Sequence, residues 1–211
     1  MTLSEKDLQQ ISAKGISPEK LEQQLNDFKK GFPFLKLEGP AAIGKGIMAP
    51  TAEDAEKYIN TWNEYKAQGR KIVKFVPASG AASRMFKDVF SFVDADYNAP
   101  TSAFEKKYFE SIKDFAFYET LDALLKEQTG KGIGALMEEG DYKSIAKAML
   151  DKEGLNYGQL PKGLLLFHNY CDGARTPMEE HLVEAALYAN SNGEADVHFT
   201  VSNEHLELFK A

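Results

Sequence analysis

Cysteine is nearly absent: Cys171 is the only one in 211 residues. An internal disulfide is therefore impossible, and a cysteine-rich zinc site is excluded. Long apolar runs are missing too, and no stretch reaches the roughly 18 apolar residues of a membrane span. The opening residues, MTLSEKDLQQ, lack the apolar centre of a signal peptide. A cytoplasmic protein with no membrane partner is expected. Positive charge is in deficit, with 25 Lys and Arg against 32 Asp and Glu and a net charge of -7. A duplex nucleic-acid partner, which needs a basic surface, is disfavoured. A nucleotide held by one small basic cluster remains compatible. His168, His181, His198 and His205 stand at no recognisable metal spacing, and structural roles are expected for most of them. Internal repeats and low-complexity segments are absent.

What is present reads as helices around at least two strands. Ser4 with Asp7 forms a capping pair ahead of Leu8 and Ile11. Ser17 and Pro18 open a second helix with Leu21, Leu25 and Phe28 on one face, and Gly31 and Pro33 stop it. This helical pair is expected to pack on a core. Residues 35–50 suit a short strand or loop. Thr51 to Gly69 repeats apolar residues three and four apart, as a helix does. KIVKFVPA, with consecutive apolar residues, has the pattern of a buried strand. Met85 to Phe92 should be helical, and residues 100–157 mostly so, with Ser102 and Glu105 as a capping box and Gly130 as a stop. The aromatics there, among them Phe104, Tyr108, Phe109 and Phe117, are expected to be core rather than a ligand cage. Thr176, Pro177 and Glu179 open a helix that Gly193 closes, and Val197 to Val201 should be a second strand. Strand–helix–strand order predicts parallel strands with helices on their faces.

Between the first strand and the next helix lies VPASGAASRMFKD, residues 76–88. Its centre has almost no side chains. A small-residue turn from strand to helix exposes backbone N–H groups near the positive end of a helix dipole, which suits an anion. Ser79, Gly80, Ala81, Ala82 and Ser83 leave room for a phosphate or a base against the main chain, and Arg84 supplies a fork of donors. The P-loop, the dinucleotide fingerprint and the nucleophile elbow all fail on glycine or lysine placement. Two plainer readings stand beside this one. The run is a tight connection without a ligand, or Arg84 simply pairs with Asp88 one turn on.

Val76 to Met85 resembles the signature of the sugar-phosphate nucleotidyltransferases, the GT-A-like superfamily, in which a strand enters Leu-Ala-Ala-Gly-x-Gly-Thr-Arg-Met. Gly80 falls on the first glycine, Ser83 on the hydroxyl residue, Arg84 on the arginine and Met85 on the apolar end. Pro161-Lys162 is similar to the later Pro-Lys element, RTPMEEHL to the helix that follows, and VHFTVSNEH to the next strand and loop. The resemblance covers residues 72–90 and 160–211. The wording also resembles an uncharacterised bacterial family of unknown function. Ala82 replaces the second glycine, Pro77 replaces a small apolar residue, and residues 86–160 replace what is normally a short loop.

The resemblance implies a Rossmann-like three-layer α/β/α core of mainly parallel strands, formed by residues 71–91 and 160–211. Residues 1–70 are then a helical extension and residues 92–159 a helical insertion. It also implies transfer of a nucleotidyl group from a nucleoside triphosphate to a sugar 1-phosphate or similar phosphorylated small molecule, with pyrophosphate released. Arg84 and Lys162 take the catalytic places. Ala78 to Ser83 contact the nucleotide, and Arg175 is an added phosphate contact outside the family pattern. Mg²⁺ is the implied cofactor, yet Asp88 and Asp172 match no metal position, so the chain is expected to be part of a longer enzyme. Lys162 is equally readable as a surface lysine. The alternative is a catalytically inactive nucleotide-sensing or protein-interaction domain on the same fold.

Overall fold

The computed structural model describes residues 3–211. They divide into two compact units, one ending at Glu56 and one running over Lys57–Ala211. In the first, α1 (Glu5–Ala13) starts at Ser4, whose Oγ accepts from the Asp7 N–H while the Asp7 carboxylate accepts from the Ser4 N–H. Helix α2 (Pro18–Lys30) starts at Ser17 and ends at Gly31, with φ 73°. Two-residue strands β1 (Ala42–Ile43) and β2 (Gly46–Ile47) follow, paired in parallel. The expected core is not formed by this pair: neither helix buries a residue, and Phe28 is 83% exposed. Two short helices with one apolar stripe each cannot enclose both stripes.

Helix α3 (Ala52–Ala67) begins at Thr51, which shares a reciprocal cap with Asp54. Strand β3 (Val73–Pro77) leads to the small-residue turn. It pairs in parallel with β6 (Asp196–Thr200), in register from Val73 opposite Asp196 to Pro77 opposite Thr200. Side chains alternate along a strand. Lys74 and Val76 therefore share a face with Val197 and Phe199, and this face is covered. Val73 and Phe75 point the other way and are 45% and 65% exposed. The strand expected to be buried throughout is covered on one face. The fold is mixed α/β with short parallel strand pairs of two strands each among the described residues.

Apolar burial concentrates in the helical segment. Helices α4 (Lys87–Asp94), α5 (Ala103–Glu110), α6 (Tyr118–Thr129), α7 (Ile133–Glu138) and α8 (Tyr142–Leu150) enclose one cluster. Phe92, Leu121, Leu125, Ile145 and Met149 are fully buried there. Each such side chain contributes about 1.5–3 kcal/mol relative to exposure. Ala82 and Phe86 before the segment and Leu165 after it belong to the same cluster. The helical segment and the turn thus share a core. Tyr108, Phe109 and Phe117 are core, as expected, whereas Phe104 is 43% exposed.

Three boundaries differ from the sequence reading. Residues 83–86 form a turn, with the Met85 N–H donating to Ala82 O at 2.8 Å, so α4 starts at Lys87. The helical pattern of residues 102–130 is broken by a 3-10 turn at Ile112–Asp114, where Ile112 sinks into the core. The helix opened by Thr176, α9 (Pro177–Leu187), stops short of Gly193 because Asn190 Nδ2 donates to Ala185 O and Ala186 O. A hairpin of β4 (His168–Tyr170) and β5 (Gly173–Arg175) precedes α9, and α10 (Leu206–Lys210) follows β6. No helix among the described residues is long and apolar enough to cross a membrane.

Candidate functional site

The parallel ladder continues one step past Pro77, where the Ala78 N–H donates to Thr200 O at 2.8 Å. The chain then leaves the strand pair and is caught by a distant segment. Ala81 bridges Pro161, and the Lys162 N–H donates to Gly80 O at 3.0 Å. Pro161 is fully buried and anchors this crossing. Lys162 therefore stands beside Gly80 through backbone geometry. Gly163 is small for a packing reason: a Cβ there would sit 2.9 Å from the Phe209 ring.

A pocket of about 200 Å³ opens at this junction, at the carboxyl ends of β3 and β6. Ala78, Gly80 and Lys162 form one side, and Pro177, Met178 and His181 of α9 form another. Phe199 and Phe209 supply apolar surface. Among the described residues Lys162 and His181 are its only ionisable lining groups, and no lining residue carries a carboxylate. The first turn of α9 borders it, and Glu179 and Glu180 in that turn offset the positive end of the helix dipole. The pocket is suited to an anion on one side and to an apolar group on the other.

Gly80 answers a question the sequence left open. Its φ lies outside the left-handed region, and a Cβ built on it meets nothing within 4 Å. Neither backbone conformation nor packing in the unliganded chain requires glycine here. The open space lies on a residue that lines the pocket.

His181 was not singled out by sequence. Its Nδ1 lies 3.3 Å from Glu184 Oε2, and Glu184 is ion-paired with Lys74 from β3. The Lys74 hydrogen bond holds the Glu184 carboxyl below its usual range, burial opposes this, and His181 assists. An Nδ1–H donated to Glu184 leaves Nε2 as the free ring nitrogen. The available signal was the His-x-x-Glu spacing on a well-capped helix, which places both side chains on one face.

The other expected site residues scatter. Ser79, Ala81, Ser83 and Arg84 are exposed on the turn but do not line the pocket. Arg84 makes no ion pair with Asp88 among the described residues. Ala82 is 1% exposed, with its methyl group in the helical core rather than over the turn. Arg175 lies outside the pocket lining. It contacts Asp172 at 3.0 Å and Glu180 at 3.6 Å, and it covers the Tyr170 ring at 4.5 Å. Asp172 is thereby engaged. Among the described residues no cluster of His, Cys, Asp or Glu is suited to a metal ion. The pocket residues do not fit a protein-held Mg²⁺.

Comparison with known proteins gives one family. The family model described as "Domain of unknown function (DUF4301)" matches residues 4–211. No curated protein and no solved structure matches the chain.

Proposed function

We propose, for a chain that belongs to the DUF4301 family, that the pocket at the ends of β3 and β6 binds the phosphates of a nucleotide. The observation that carries this reading is its electrostatic make-up. Among the described residues Lys162 and His181 are the only ionisable groups lining a recess of main chain at Gly80, and no lining residue carries a carboxylate. Backbone and lysine together favour a phosphate.

The activity proposed is nucleotidyl transfer on a Rossmann-like core. An acceptor phosphate oxygen attacks the α-phosphorus of a nucleoside triphosphate, the α–β bond breaks, and pyrophosphate leaves. The acceptor is already an anion, so the work is positioning and charge stabilisation. Lys162 neutralises charge at the reacting centre. Arg84, exposed four residues beyond Gly80, is free to reach the leaving phosphates. Any Mg²⁺ would have to be held by the nucleotide phosphates, because no described residue lining the pocket carries a carboxylate for it. Binding without turnover is the second reading, favoured by the missing carboxylate.

Calorimetry with each nucleoside triphosphate and Mg²⁺ tests the binding. At least one is expected to bind, and Lys162→Ala should weaken it about tenfold or more. Failure of every nucleotide overturns the proposal. Pyrophosphate release with a panel of sugar 1-phosphates then separates transfer from binding alone.

A further inference from the structure

A second cavity, of about 290 Å³, lies beside the segment that follows the small-residue turn, with Met85 and Phe86 in its wall. Its size is at the lower end of the roughly 300–1,000 Å³ typical of small-molecule sites. Six further aromatic rings join Phe86 in lining it: Phe104, Tyr108, Phe115, Phe117, Tyr157 and Phe167. It is not a sealed packing defect, because its rim side chains Met85, Phe104 and Phe167 are 41–44% exposed. Within the wall Phe115 and Phe117 stack at 5.1 Å and 11°, and Phe115 lies 5.5 Å from Tyr108. The kink at Ile112–Asp114 turns these rings toward one space instead of spreading them along a continuous helix.

The polar groups of the wall are already committed, with one exception. The Tyr108 hydroxyl donates to Met149 Sδ at 2.9 Å, and the Tyr157 hydroxyl accepts from the Leu166 N–H at 3.1 Å. Asp114 is the only charged residue lining the cavity among the described residues. Its carboxylate makes no ion pair or side-chain hydrogen bond among the described residues. An apolar, π-rich chamber with one uncommitted carboxylate disfavours an anion. It favours a compact apolar body that carries a cation, since ring faces and carboxylate both attract positive charge.

We infer that this cavity is a binding site for an amphiphilic amine, an aryl or short alkyl group bearing a primary or methylated ammonium. The apolar body lies among the rings and the ammonium meets Asp114. This site is separate from the anion pocket, shares no lining residue with it, and does not depend on nucleotide binding.

The test is calorimetry at low salt with three probes of one length: phenylbutylamine, phenylbutanol and phenylbutyrate. The amine is expected to bind three- to tenfold more tightly than the alcohol, and the carboxylate most weakly. Asp114→Asn, on an exposed side chain, should bring amine and alcohol level. Ala116→Phe, which projects a ring into the cavity, should abolish binding of all three. Equal binding of the three probes, absence of binding, or amine binding unchanged by Asp114→Asn overturns the assignment. The Asp114→Asn outcome decides the matter even if Ala116→Phe fails to fold.

Discussion

Replacing Gly80 by alanine separates two reasons for a small residue in the turn. If the turn needs glycine, a Cβ strains the chain and stability falls. If a ligand needs the space, stability holds and binding fails. The geometry favours the second. The φ of Gly80 is one that any residue adopts, and the added Cβ meets no atom within 4 Å. The turn is held instead by Ala81 opposite Pro161 and by the Lys162 N–H on Gly80 O. Removing glycine from the unfolded chain then stabilises by about 0.4–1 kcal/mol. For a chain of this size that is a rise of roughly 1–4 °C in melting temperature. On the function proposed above, the methyl group would stand where a phosphate approaches the main chain. Loss of that approach should weaken nucleotide affinity about tenfold, and Gly80→Val should weaken it further. Differential scanning calorimetry and nucleotide titration are run on the same preparations. A fall of several degrees refutes the reading of the turn, and unchanged affinity refutes the reading of the pocket.

Two further outcomes follow from local geometry. Gly154→Ala should destabilise by at least about 2–3 kcal/mol, because its Cβ would collide with the Ala148 carbonyl, 2.6 Å from the carbon, where Leu155 closes α8; chemical denaturation measures this. Glu105 provides a pH probe. Burial opposes its ionisation, but the Thr101 and Ser102 N–H groups and the Tyr97 hydroxyl prevail and hold its pKa at about 2, below its ordinary 4.5. Its contribution, about 2 kcal/mol allowing for nearby solvent, is present above pH 4.5 and is lost as pH falls toward 2. Glu105→Gln should flatten the stability profile across that window, and an unchanged profile would assign the acid sensitivity elsewhere.

The legible parts of this molecule are those whose physics closes within a few residues. The caps at Ser4, Ser17, Thr51, Ser102 and Thr176 each use a side chain and an N–H three positions apart, so their residue types announced them. The parallel relation of β3 and β6 followed from strand–helix–strand order. The proximity of Pro161-Lys162 to the turn was not legible locally, since no local rule brings residue 162 to residue 80.

The helix break at Ile112 was hidden because the pattern on either side is helical, and the core alone gains by drawing Ile112 inward. His181 looked like one histidine among four until α9 carried it to the end of β3, with Glu184 held between it and Lys74. Arg175 looked free for a phosphate until Asp172 and Glu180 were found beside it. Ala82 stands where the resembled signature has its second glycine, and its methyl group lies in the core.

The sequence by itself determined where most helices start, that two strands run parallel, and that the turn between β3 and α4 is made of small residues. The tertiary structure alone decided what that turn faces. Which side of Gly80 is open, which ionisable groups line the pocket and where the Ala82 methyl points depend on contacts between residues some eighty or more positions apart. No local pattern encodes them, because burial and pairing energies belong to the packed chain and not to any one segment of it.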